Sequence, residues 1–260
     1  MPVTLAQIRA RVQTHVVDVV DEITAEFDGW INWAIRVAQE THNFRAMQAE
    51  QFKDTTKNVR LLGTKFIDWK DRRLDPYYVT PEGSNIRLSW ATEDQARERY
   101  GENTTQDIGP PKDLVERIFY DGTSDLDQFL VYPFPDALSR QVGPAPAAGE
   151  YRILIPYYRY LPTLAADNAS NYFTDNWDNY VVWLAAAQAL FLNEFNERAL
   201  VFSTKAGYDV SEGAPILSGT RFQGELGRMI KTDQRGRVAN RLTLGVNRNA
   251  GRSGRFRMVR

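Results

Sequence analysis

Leu5, Ile8, Val12 and Val16 fall on one face of a 3.6-residue repeat, and Thr4 with Gln7 has the spacing of a capping box. This pattern predicts a first helix over about Leu5 to Val17. A carboxylate-rich stretch from Asp18 to Glu26 follows, and a stripe of Phe27, Trp30, Ile31, Ala34, Ile35 and Ala38 predicts a second helix up to about Thr41. Each helix is apolar on one side and needs a partner surface. From Gln51 to Leu161 the period changes to short β-type runs: Asn58 to Leu62, Lys65 to Trp69, Tyr77 to Thr80, Ile86 to Trp90, Asp113 to Tyr120, Gln128 to Pro133 and Tyr151 to Tyr160. Turn chemistry at Asp75-Pro76, Pro81-Glu82-Gly83 and Asp121 to Ser124, and a Pro/Ala/Gly-rich loop from Gly143 to Gly149, separate these runs. One helix interrupts them, capped by Thr92 and stopped by Gly101.

The longest helical pattern starts after Thr174 or Asp175. Trp177, Tyr180, Val181, Leu184, Ala187, Gln188, Phe191 and Phe195 hold the period, which continues through Ala199 and Phe202 to Gly207. A Gly/Ser/Pro-rich break from Gly207 to Gly219 precedes a last amphipathic helix carrying Phe222, Leu226, Met229 and Ile230. After Gln234 the periodicity ends. The expected fold is α+β, mainly an α-helical bundle built from N-terminal helices (1–50) and C-terminal helices (166–234). A β-rich module with one short helix (51–165) is inserted between them, and an Arg-rich arm (235–260) extends from the end. In the last run Tyr151, Ile153, Ile155 and Tyr157 alternate with other largely apolar residues, which predicts a strand covered on both faces.

Charge sharpens the arm. The chain of 260 residues has a formal net charge of -1. From Arg221 onward, however, eleven basic residues face two acidic ones, leaving 21 basic and 31 acidic residues before it. The end is +9 and the body -10. The arm has too little apolar matter for a core of its own and is expected to be extended in isolation. Apolar residues between its arginines, such as Leu242, Leu244 and Phe256, favour docking to a partner over simple solubilisation. Nucleic-acid binding through phosphate contacts is the alternative use of the same charges.

Chemistry is sparse. The sequence has no cysteine and two histidines, His15 and His42, which excludes disulfides, thiol nucleophiles and Cys-ligated metal, so no metal or other cofactor is expected. No P-loop, G-x-G-x-x-G, G-x-S-x-G or H-E-x-x-H motif occurs. Paired carboxylates for a cell-wall hydrolase are available at Glu194 with Glu197 and at Asp18, Asp21 and Glu22, but solvated helix faces and caps account for such pairs. No apolar stretch reaches the roughly 20 residues needed to cross a bilayer, and no secretory signal is visible near the start, so no membrane partner is expected.

Several segments together resemble the head-to-tail adaptor, or connector, proteins of tailed bacteriophages. They are Thr4-Leu5, the acidic loop through Asp21, Trp30-Ile31-Asn32-Trp33-Ala34, Tyr100-Gly101, Gly109-Pro110-Pro111, Tyr132-Pro133-Phe134-Pro135-Asp136, and Ile153 to Leu164 with its Tyr157-Tyr158-Arg159-x-Leu161-Pro162-x-Leu164 stretch. The likeness runs in order from about Thr4 to Gln234. It implies a non-enzymatic virion protein made in the host cytoplasm and placed in the neck, in a ring commonly of twelve copies. The ring's partners are the portal protein above and a tail or nozzle protein below. Genomic DNA passes through the channel without sequence-specific binding. The resemblance assigns portal docking to the arm, through Arg235, Arg237, Arg241, Leu242, Leu244, Arg248, Arg252, Arg255, Phe256 and Arg257. Packing between subunits is expected from Trp30, Trp33, Trp177, Tyr180, Trp183 and Phe191.

Overall fold

The computed structural model describes residues 2–17, 24–79, 85–101, 108–120, 125–136 and 151–235. The acidic residues Asp18, Asp21 and Glu22, the turns at 81–83 and 121–124, the loop at 143–149 and the arm beyond Arg235 lie outside them. The protein is α+β. The chain divides into two compact units, Met1–Ala46 with Leu161–Arg260, and Met47–Tyr160.

The first unit is helical. Helices α1 (Leu5–Val16), α2 (Thr24–Thr41), α4 (Tyr172–Asn176), α5 (Asp178–Leu192), α6 (Asn196–Ala206) and α7 (residues 224–235) belong to it, while α3 (Glu93–Tyr100) lies in the other unit. The cap of α1 is the one its sequence encodes: the Gln7 backbone N–H donates to Thr4 Oγ1 and the Thr4 N–H to Gln7 Oε1. Two further N–H groups of its first turn donate to the carbonyls of Ala169 and Asp167, so the open end of the helix is satisfied by a distant loop. Its apolar face, Leu5, Ile8, Val12 and Val16, is fully buried.

Helix α5 is the centre of this unit. It packs against α1, α2, α4 and α6. Its buried residues lie on all sides, Tyr180, Val181, Val182, Leu184 and Leu190 alternating with Ala185, Ala186, Ala187 and Ala189. A helix apolar all round is a buried one, and the alanines permit close approach. The long helix expected from Asp175 to Gly207 is instead two helices folded back on each other. The chain turns at Asn193 and Glu194, where Glu194 takes a left-handed φ of 65° and the Phe195 N–H reaches the Leu190 carbonyl at 2.9 Å. The 3.6 period runs through this turn without a break in phase, which is why the pattern reads as continuous.

The expected break from Gly207 to Gly219 holds one minimal hairpin, Tyr208–Asp209 with Ala214–Pro215, and a second, Leu217–Ser218 with Arg221–Phe222, runs past it, so Phe222, expected in the last helix, lies in a short strand before it. The chain then crosses itself. Gly207 and Gly224 both have positive φ, and a Cβ on Gly207 would stand 2.1 Å from the Gln223 carbonyl oxygen, while one on Gly224 would stand 2.5 Å from the Gly207 nitrogen. Only glycine lets these backbones touch. This crossing sets the start of α7, whose Leu226, Met229 and Ile230 are buried.

The second unit is built from strands β1 (Gln48–Asp54), β2 (Leu61–Thr64), β3 (Trp69–Arg72), β4 (Tyr77–Val79), β5 (Asn85–Arg87), β6 (Ser89–Ala91), β7 (Ile108–Gly109), β8 (Asp113–Tyr120), β9 (Asp125–Tyr132), β10 (Phe134–Pro135) and β11 (Arg152–Arg159). β11 is the central strand expected from its two apolar faces, with β1 on one side and β3 and β4 on the other, all antiparallel. A second sheet has the order β2-β9-β8-β6. Leu62, Tyr78, Leu114, Phe129, Val131, Ile153 and Ile155 fill the core between them. Trp69 stacks on Tyr157 at 5.2 Å, and the Tyr157 hydroxyl donates to Asp68 at 2.8 Å; burial pushes this phenol's pKa up.

Three of the singled-out sequence elements meet in this unit. Phe134-Pro135 pairs in parallel with Ile108-Gly109, and the Tyr151 hydroxyl donates to Asp136. The Arg60 guanidinium lies over the Tyr132 and Phe134 rings, at 4.3 and 4.0 Å, and donates to the Gly101 carbonyl at 3.0 Å.

Candidate assembly surfaces

The conspicuous polar contacts of the helical unit hold its chain segments together. Asn32 binds the Leu164 backbone from both sides, accepting from its N–H at 2.7 Å and donating to its carbonyl at 3.0 Å. The Leu161 N–H donates to Gln39 Oε1. The Trp-Ile-Asn-Trp-Ala and Leu-Pro-x-Leu elements noted in the sequence are thus the two halves of one joint. Arg9 bridges Asp28 at 2.8 Å and Asp167 at 3.0 Å, and Arg11 pairs with Asp178. The Asp28 hydrogen bond raises the Arg9 pKa further above its already basic value.

The root of the arm is tied down in the same way. Asp233, 1% exposed in its side chain, accepts from the Arg45 N–H at 3.0 Å, from Arg45 Nε at 3.3 Å, and meets His42 Nε2 at 3.1 Å. His42 also packs edge-on against Phe44. This cluster joins residues 191 positions apart, so no local signal announces it. Two positions later Arg235, exposed, ends α7. The other arm residues assigned to docking, Arg237, Arg241, Leu242, Leu244, Arg248, Arg252, Arg255, Phe256 and Arg257, lie outside the described residues. Beside α7 runs a groove of about 620 Å³, lined by Arg221, Phe222, Gly227, Arg228, Ile230 and Lys231 among others.

The six aromatic residues expected between subunits divide into two groups. Trp30 is 7% exposed and packs edge-on against Phe27, and Tyr180 is fully buried, its pKa pushed far above the phenol range by burial. Trp30 on α2 and Tyr180 on α5 are both covered by their own chain. Trp33, Trp177, Trp183 and Phe191 are half-buried. Trp33 meets Tyr208 edge-on at 6.0 Å, and Trp177 Nε1 donates weakly to the Tyr172 hydroxyl. A more exposed apolar surface, absent from the sequence expectation, lies at the α5–α6 turn, where Leu192, Phe195, Leu200 and Val201 are 55, 44, 58 and 52% exposed.

Among the described residues, His15, Glu194 and Glu197 are the candidates for catalysis that the sequence singles out. His15 packs at a tilt against Phe202, ring centres 5.1 Å apart; burial, with Lys205 and Arg11 nearby, lowers its pKa. Glu194 sits in the interhelical turn and Glu197 in the first turn of α6, both exposed to solvent. Among the described residues no group of three or more His, Cys, Asp or Glu could hold a metal ion, and no helix is long and apolar enough to cross a membrane.

Long-range latches, an anchored root for a cationic arm and exposed apolar helix surfaces are the features of an assembly protein. A family model described as SU10 adaptor protein matches residues 3–244, and the chain belongs to that family, making it a structural adaptor of the phage virion. No curated protein matches the chain.

Proposed function

We propose that the protein is the head-to-tail adaptor of the phage neck, forming a ring of about twelve copies between the portal and a tail or nozzle protein. The observation that carries this reading is the family match, which spans both units and reaches past Arg235 into the arm. The arm docks to the portal. Its seven arginines from 237 onward have no acidic residue among them, and it starts from a helix fixed by Asp233. A cationic segment on a rigid root can search for an acidic or grooved partner surface and order on contact. The acidic body, repeated around a ring, surrounds the channel with negative potential that keeps DNA from adhering and lets it slide. The half-buried Trp33, Trp177, Trp183 and Phe191 contribute to packing between neighbouring copies.

Deletion of residues 236–260 tests this reading in an infected cell. The truncated protein is expected to fold, with an unchanged melting temperature, and to be missing from filled capsids; normal incorporation refutes portal docking by the arm. The arm's charge also favours a second reading, DNA binding by phosphate contacts. A duplex titration at low salt decides it, since phosphate-driven affinity is highest there and falls steeply with added salt.

A further inference from the structure

Two surfaces of the helical unit are unfinished in complementary ways. At the α5–α6 corner, Leu192, Phe195, Leu200 and Val201 are exposed. Glu194 and Glu197 stand exposed among them, without an ion pair among the described residues. The corner is apolar and acidic. The α7 groove is lined by the half-buried Phe222 and carries the exposed Arg221, Arg228 and Lys231. Arg228 pairs with Glu225 at 2.7 Å yet remains 72% exposed, while Arg221 and Lys231 have no ion pair among the described residues. The groove is apolar and basic.

These are different patches of one chain. Copies joined through them meet head to tail, the kind of contact that closes into a ring when its rotation permits. We propose that the α5–α6 corner of one copy seats in the α7 groove of the next. Glu194 and Glu197 face Arg221, Arg228 and Lys231, and Leu200 and Phe195 cover Phe222. This contact rests on the ring reading above and names the surface that builds the ring.

Charge reversal in the full-length protein tests it, with assembly followed by mass photometry and by electron microscopy of portal-bearing capsids. The double variant Glu194→Lys/Glu197→Lys and the double variant Arg228→Glu/Lys231→Glu each place like charges across the contact. Each is expected to raise the concentration for half-assembly about a hundredfold or more. Mixed together, the two variants are expected to assemble, because the reversed corner of one matches the reversed groove of the other in an alternating ring. Misfolded variants would not rescue each other. Wild-type assembly should weaken from about 0.1 to 1 M salt as these charges are screened. Wild-type rings that neither double variant disturbs, or a mixture that fails to assemble while both variants keep the wild-type melting temperature, overturn the contact alone. A wild-type protein that forms no ring, alone or on portals, overturns the ring reading and the contact with it. Removal of residues 236–260 should leave ring formation intact; if it abolishes assembly as the corner reversal does, the arm occupies the corner and the proposal is wrong.

Discussion

Helices α5 and α6 share one unbroken periodic pattern in the sequence, yet they end in opposite environments. α5 buries nine of its fifteen residues, Leu184 and Leu190 among them. α6 buries only Ala199, Ser203 and Ala206, and turns Leu200 and Val201 to solvent. The difference lies in the number of neighbours. α5 is surrounded by α1, α2, α4 and α6, while the small residues on the inner face of α6 bring it close to α5 and leave its larger apolar residues outside. A helical repeat therefore specifies that a helix has an apolar face, not that its own chain supplies the cover.

Mutations should separate the two helices. Leu184→Ala in α5 opens a cavity in a closed core and should cost about 2–5 kcal/mol of unfolding free energy in chemical denaturation. Asp233→Ala removes the carboxylate that satisfies the Arg45 N–H and holds the end of α7, for a loss of about 2–3 kcal/mol. Thr4→Ala removes the cap of α1 and should cost about 1 kcal/mol. Leu200→Ala in α6 should change stability by no more than about 0.5 kcal/mol, because the side chain is already in water. A large destabilisation by Leu200→Ala would erase the contrast between the helices.

The smallest expected effect concerns pH. His15, packed on Phe202 of α6, has its pKa lowered by burial, so the folded state binds fewer protons than the unfolded one as pH drops below about 6.5. Its contribution is complete above that pH and declines on acidification, down to the lowered folded value. The melting temperature of His15→Gln should therefore fall less between pH 7 and 5 than that of the wild type. Equal slopes would show that His15 is not part of the linkage.

Where structure follows local rules, the sequence was readable. Thr4 with Gln7 and Thr92 with Gln95 form the capping boxes that start α1 and α3, and the Asp113–Tyr120 strand occupies the residues its pattern predicts. Strand β1, Gln48-Ala-Glu-Gln-Phe-Lys-Asp54, carried no such signal: it is polar on both faces, lies at a sheet edge, and shows its one large apolar residue, Phe52, to solvent. Leu88 splits the expected Ile86 to Trp90 run into two strands that belong to different sheets. The two-residue hairpins after Gly207 are too short to leave a period. The joints Asn32 to Leu164 and His42 to Asp233 link positions 132 and 191 residues apart, and only the fold brings them together. Burial of Trp30 and Tyr180 was equally hidden, since a tryptophan or tyrosine stripe reads the same whether its cover comes from the same chain or another.

The register of β1 with β11 sets Gln48 opposite Tyr158. The chain therefore departs for the β unit and comes back from it on adjacent strands, roughly 5 Å apart. To the helical unit, everything between Met47 and Tyr160 is a single graft with a narrow doorway. Loops in that graft can lengthen, shorten or change chemistry so long as the two strand ends stay one spacing apart, which leaves it free to diversify while the helical unit keeps its packing.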